Sequence, residues 1–160
     1  AGLGRFTPVA GRMQVRHLPG GITLIDDTYN ANPASMEAAL AVLDSLKGSG
    51  RSILVAGDMR ELGNEARRMH REIGRLAAQT GVGRLLACGD LAAETAAGAR
   101  SGGMAGADIV IGARADIEHA LLEALRPADR VLVKGSRAMG MEHVIRAIQE
   151  WSNTRQRQKE

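Results

Sequence analysis

Aromatic side chains are almost missing from this 160-residue chain, which has one Phe, one Tyr and one Trp. Single-stranded nucleic acids are held by stacked aromatics set in a basic groove. The 21 Lys and Arg only slightly outnumber the 18 Asp and Glu, and they are scattered, so no nucleic-acid partner is expected. Cys88 is the sole cysteine. That excludes an internal disulfide and suits a reducing compartment, so a cytoplasmic location is expected. No apolar run approaches the ~18 residues of a membrane-spanning helix. The N-terminal AGLGRFTPVAGR lacks the apolar segment of a signal peptide. His17, His70, His119 and His143 are dispersed without zinc spacing, so no metal ligands are expected and each His reads as solvated or capping.

What the chain does have is an alternation of short apolar runs and helical periodicities. Met13 to Leu18 and Ile22 to Ile25 flank Pro19-Gly20-Gly21 and predict a hairpin. Pro33 to Leu46 has apolar residues at Met36, Ala39, Leu40, Leu43 and Leu46, a helical spacing that starts at a proline and ends by Lys47-Gly48. Strands are predicted at Ser52–Ala56, Arg84–Cys88, Ala107–Ile111 and Arg130–Val133. Helices are predicted between and after them, at Glu65–Thr80, Leu91–Ala99, Arg114–Leu125 and Met139–Trp151. Strands alternating with helices of this length imply an α/β fold. It is a Rossmann-like, doubly wound, mostly parallel sheet with helices on both faces and an antiparallel edge hairpin.

In such sheets ligands gather at the carboxyl ends of strands. Asp26-Asp27-Thr28-Tyr29-Asn30-Ala31-Asn32 follows the hairpin, and Gly57-Asp58-Met59-Arg60-Glu61-Leu62-Gly63 follows the next strand. Gly89-Asp90 and Lys134-Gly135-Ser136-Arg137 follow later ones. Three of these four loops are dense in polar groups. The nucleotide fingerprints are nevertheless missing. Gly48-Ser49-Gly50 precedes a strand rather than following one, and Gly57 and Gly63 bracket five residues without a following Lys-Ser/Thr, so no P-loop is present.

Lysine is scarce: of the 21 basic residues only Lys47, Lys134 and Lys159 are lysine. Lys134 ends a buried strand just before a helix. The position fits either a required compact ammonium or a side chain snorkelling to the sheet edge. Ser136 falls at an expected N-cap. Lys134, Ser136, Arg137 and the helix start together form a cradle suited to a carboxylate or phosphate.

Four stretches, PVAGRMQV, DDTYNANPASMEAAL, GDMRELG and VLVKGSRAMGMEHVI, resemble the C-terminal domain of the Mur ligases in order and spacing. The resemblance runs from about Pro8 to Trp151. It is strongest to the branch that joins D-Ala-D-Ala to UDP-MurNAc-tripeptide. The branch adding diaminopimelate has an Asp-Asn-Pro-Arg loop, absent here, and Gly-Lys-Gly-His-Glu where this chain has Val-Lys-Gly-Ser-Arg. Folylpolyglutamate synthetases have His where this chain has Asn30.

The resemblance implies ATP-dependent amide ligation in the cytoplasmic stage of peptidoglycan synthesis, through an acyl phosphate. ATP and Mg²⁺ are the implied cofactors, with Mg²⁺ bound mainly by a central domain that carries the P-loop. The implied partners are D-Ala-D-Ala, UDP-MurNAc-tripeptide and the N-terminal and central domains of the same enzyme, which is expected to be a monomer. Residues 1–11 are expected to be the trailing end of the ATPase domain and a linker, 12–152 the ligase domain, and 153–160 a disordered tail. The fragment alone is expected to be inactive. By the same resemblance, Arg12 reaches the γ-phosphate, and Asp27, with Asp26 as the alternative register, accepts from the ribose. Tyr29 and Asn30 face the nucleotide. Asn32, Lys134, Ser136 and Arg137 face the incoming substrate, with the last three holding its carboxylate. The alternatives are an equivalent domain that serves a different acceptor amine, or a non-catalytic Rossmann-like binding module.

Overall fold

The computed structural model describes residues 10–46 and 48–158. The expectation for residues 1–11 therefore lies mostly outside the described residues, as does Lys47. Six strands form one sheet: β1 Gln14–Leu18, β2 Ile22–Asp27, β3 Ser52–Ala56, β4 Arg84–Ala87, β5 Ile109–Ile111 and β6 Arg130–Lys134. Five α-helices accompany them: α1 Pro33–Ser45, α2 Ala66–Gln79, α3 Ala92–Ser101, α4 Arg114–Ala124 and α5 Glu142–Arg157.

The strand order is β1-β2-β6-β3-β4-β5. β1 pairs antiparallel with β2, and the remaining pairs are parallel. The predicted hairpin is thus the sheet edge. It turns through Gly20 and Gly21 at φ 80° and 75°, a left-handed backbone that glycine adopts without a Cβ penalty.

Side chains of a strand alternate between faces, so each central strand feeds two cores. Ile25, Leu54, Leu85 and Leu132 pack with Met36 and Leu40 of α1 and Ile73 of α2. Their neighbours Leu24, Ile53, Leu86 and Val131 pack on the other face with Ile117 and Leu121 of α4 and Val144 and Ile148 of α5. That two-sided burial explains the continuous apolar runs in the sequence.

On the first face α2 and α3 approach very closely. A Cβ on Gly74 would lie 1.9 Å from the carbonyl oxygen of Thr95, and one on Gly98 would lie 1.9 Å from that of Arg71. The nearly buried Glu94 of α3 accepts hydrogen bonds from Arg71 and, at 2.9 Å, from Arg67 of α2. The Arg71 hydrogen bond, reinforced by Arg67, holds its carboxyl below the usual range.

Both ends of α5 differ from the periodicity. Helix α5 begins at Glu142 rather than Met139, because a separate 3₁₀ turn at Arg137–Met139 closes on Gly140 at φ 60°. It then runs to Arg157 instead of ending at Trp151, so residues 153–157 are helical where a disordered tail was expected. Arg155 lies over the Trp151 ring at 4.6 Å, and Arg155 and Arg157 occupy the last turn, where cations suit the helix dipole.

Candidate functional site

Because β2, β6, β3 and β4 are parallel neighbours, their carboxyl ends share one edge, and the loops that follow them meet there. Asp27 and Lys134 are register partners at the last pair of β2 and β6. Paired residues project to the same face, which brings the two side chains together. Lys134 is only 2% exposed. Its Nζ donates to Asp27 Oδ2 at 2.6 Å and to the Asn30 carbonyl at 2.8 Å. The other carboxylate oxygen, Asp27 Oδ1, accepts the Met13 N–H at 2.9 Å.

Asp26 points to the opposite face. Its Oδ1 accepts from the Thr28 hydroxyl at 2.8 Å and the Thr28 N–H at 3.3 Å, and Arg16 lies 3.7 Å from Oδ2. Asp26 therefore braces its own turn, while Asp27 sits with Arg12 and Lys134.

Arg12 is held from both sides. The Gly11 carbonyl accepts the Tyr29 N–H at 2.8 Å, and Met13 is tied to Asp27. Gly11 has φ 72°, and a Cβ there would lie 3.0 Å from the Thr28 hydroxyl and the Tyr29 nitrogen. Arg12 and Arg137 lie over the Tyr29 ring at 4.2 and 5.1 Å, a cation–π arrangement on a ring that is 38% exposed.

The 28–32 loop separates two concavities. One, of about 360 Å³, is lined by Arg12, Asp27, Tyr29, Asn30, Asn32 and Lys134. The other, of about 510 Å³, is lined by Tyr29, Asn30, Asn32, Arg60, Ser136 and Arg137. Lys134, grouped with Ser136 and Arg137 in the sequence reading, thus opens onto the other side. A pocket of about 240 Å³ beside Ile22, Leu125 and Trp151 contains none of the expected residues.

Some polar groups serve the scaffold in ways the sequence did not signal. Asn32 caps α1: its Oδ1 accepts the Ser35 N–H at 2.9 Å, and the Ser35 hydroxyl accepts the Asn32 N–H at 3.0 Å. The expected N-cap role of Ser136 is not made. Its buried hydroxyl instead accepts the Arg60 N–H at 2.8 Å and faces the Ala31 carbonyl at 3.4 Å.

Asp58 is 2% exposed and accepts the N–H groups of Asp90 and Leu91 at 2.8 and 3.1 Å. His70 is buried, not solvated or capping. Its Nε2 accepts the Met59 N–H at 3.0 Å, and its Nδ1 faces the Ala66 carbonyl at 2.7 Å. A carbonyl can only accept and a backbone N–H can only donate, so Nδ1 serves as the donor and Nε2 as the acceptor. Nothing in the spacing of His70 marks it as a brace. Cys88 packs in the core on the α4–α5 face, 3.7 Å from the Met141 sulfur, and burial, followed by the nearby Asp58, pushes its thiol up to about 11.

The family comparison decides what this edge belongs to: residues 11–137 match the Mur ligase, glutamate ligase domain family. This chain belongs to the Mur ligases. The UDP-N-acetylmuramoyl-tripeptide–D-alanyl-D-alanine ligase of Escherichia coli K12 is 38% identical over 94% of this Mur ligase chain and 32% of its own length. The ligase of the same name from Mycobacterium bovis is 42% identical over 86% of the chain and 30% of its own length. Among solved structures, MurF from Acinetobacter baumannii superposes with a TM-score of 0.80 at 29% identity, over 91% of this chain and 32% of its own. MurF from Thermotoga maritima in complex with ADP has a TM-score of 0.76 at 25% identity, over 96% and 34%.

The chain thus spans about a third of the length of these Mur ligases. Among its described residues no helix is long and apolar enough to cross a membrane. Among the same described residues, no group of three or more His, Cys, Asp and Glu side chains is able to hold a metal ion.

Proposed function

We propose that this chain is the C-terminal domain of an ATP-dependent ligase that adds D-Ala-D-Ala to UDP-MurNAc-tripeptide, in the cytoplasmic stage of peptidoglycan synthesis. One observation carries the reading. Two concavities share the wall Tyr29–Asn32; one holds Asp27 together with Arg12 and Lys134, and the other holds Arg60 and Arg137 alongside Glu61. The names of the relatives point the same way.

On the first side, Asp27 is the ribose acceptor. A carboxylate has about four acceptor positions, and Lys134 and Met13 use one on each oxygen, which leaves capacity for two hydroxyls. Arg12 reaches the γ-phosphate, and Tyr29 and Asn30 line the nucleotide's path. Mg²⁺ accompanies ATP and is held mainly by the central domain; among the described residues of this chain no acidic cluster is set to hold it.

On the second side, Arg137 meets the carboxylate of D-Ala-D-Ala, with Arg60 beside it and Asn32 at the shared wall. The buried Ser136 shapes this side by fixing the Arg60 loop. In the reaction, the terminal carboxylate of the tripeptide attacks the γ-phosphorus of ATP, the bond to the β-phosphate breaks, and an acyl phosphate and ADP result. The amine of D-Ala-D-Ala then attacks that carbonyl and expels phosphate. Cationic groups such as Arg12 offset the charge that builds on the phosphoryl oxygens.

The test is Arg137→Ala in the full-length enzyme. KM for D-Ala-D-Ala should rise by about 10-fold or more, as expected for loss of a hydrogen bond to a charged group. KM for ATP should stay within about threefold. A rise confined to ATP would overturn this division of the two concavities.

A further inference from the structure

From the buried ammonium at the end of β6 we infer that Lys134 is a positioning residue for nucleotide binding and does not contact the acceptor dipeptide. The inference rests on reading the Asp27 side as the nucleotide side. Lys134 is among the largest fully buried side chains of the domain. An ammonium has three donors, and two are spent on Asp27 Oδ2 and the Asn30 carbonyl. It therefore fixes, at once, the carboxylate that receives the ribose and the backbone of the loop that divides the two concavities.

The consequence extends to Arg12. Asp27 Oδ1 holds the Met13 N–H, and the Gly11 carbonyl holds the Tyr29 N–H. The residue between those two anchors is Arg12. Met13 itself has φ 45°, a left-handed conformation that is uncommon for a residue with a Cβ and persists only where surrounding contacts impose it. Lys134 thus orients Asp27, Asp27 fixes Met13, and Met13 sets the base of Arg12. The ribose acceptor and the phosphate-directed arginine are held by one chain of contacts that begins at the Lys134–Asp27 ion pair.

Three variants of the full-length ligase test this: Lys134→Met, Asp27→Asn and the double variant. Lys134→Met should weaken ADP binding, measured by calorimetry, and raise KM for ATP, each by about 10- to 100-fold, the range for hydrogen bonds to charged groups. KM for D-Ala-D-Ala should stay within about threefold. Lys134→Met leaves a carboxylate without its partner and is at risk of misfolding. The double variant removes both charges and keeps the test open. Its ADP affinity should fall within about threefold of Asp27→Asn alone, because the larger part of the Lys134 effect runs through Asp27 and only the remainder through the Asn30 carbonyl. A further large loss in the double variant, or a larger rise in KM for the dipeptide than for ATP, overturns the inference. If Asp27→Asn binds ADP as well as the parent enzyme, the nucleotide reading itself fails. If Asp27→Asn loses ADP and Lys134→Met does not, only the positioning role fails.

Discussion

Ser136 accepts the backbone N–H of Arg60 on its hydroxyl at 2.8 Å, joining positions 76 residues apart. The same hydroxyl faces the Ala31 carbonyl, so one buried side chain ties together the loops that follow β2, β3 and β6. Ser136→Ala leaves a partly buried N–H without its acceptor. A loss of about 1–2 kcal/mol in stability is expected, measured by chemical denaturation. KM for D-Ala-D-Ala should rise while KM for ATP holds.

Asp27→Asn replaces a carboxylate by an amide with a single acceptor oxygen. In the full-length enzyme it should weaken ATP by about 1.5–3 kcal/mol, the range for hydrogen bonds to a charged group. The penalty should shrink with 2′,3′-dideoxy-ATP, which lacks the hydroxyls that Asp27 would hold. The comparison forms a cycle that isolates the pair from general damage. Equal losses for the two nucleotides would remove Asp27 from the ribose, and Asp26 would be the next position to test.

Gly89 sits at φ 116°, and a Cβ there would lie 2.4 Å from the carboxylate carbon of Asp58. Gly89→Ala should therefore cost about 2–4 kcal/mol through strain and collision. Asp58→Ala removes the collision and also the acceptor for Asp90 and Leu91. The double variant should lose less stability than the sum of the two single changes. Denaturation midpoints of the three chains decide it.

The Cys88 thiol is raised to about 11 by burial and by Asp58, from 9.0 when unperturbed. A raised pKa keeps the folded chain protonated after the unfolded chain has ionised. The contribution is therefore fully present below pH 9.0 and is lost as pH climbs to about 11. Stability should decline across that window, and Cys88→Ala should remove part of the slope. At pH near 8 the native thiol should react far more slowly with iodoacetamide than the denatured chain does, because the thiolate is the nucleophile.

The regular part of this architecture was open to reading from residue patterns. The continuous apolar runs at Ser52–Ala56 and Arg130–Val133 marked strands buried on both faces, and Pro19-Gly20-Gly21 marked the hairpin. Arg12, Asp27 and Lys134 line one concavity, Ser136 and Arg137 line the other, and Tyr29, Asn30 and Asn32 line both. What stayed hidden depends on partners that are distant in sequence. The Lys134–Asp27 pair spans 107 positions, and only the placement of β6 beside β2 creates it. The burial of His70 likewise follows from where β3 ends. The capping box of Asn32 uses Ser35 in place of the usual Glu or Gln. Beyond Trp151, α5 continues without an apolar stripe, with Arg155 set over the Trp151 ring.

The strand made last among the six lies in the middle of the sheet, between β2 and β3. Until Arg130–Lys134 arrives, those two strands have no ladder between them, and each exposes an unpaired apolar edge open to other chains. An emerging chain would stay in that vulnerable state from the making of β3 until β6 is complete. Its final pairing would complete the hydrogen-bonded ladder and the buried charge pair in one event. A truncation just before Arg130 would therefore remove the keystone of the sheet rather than trim its rim.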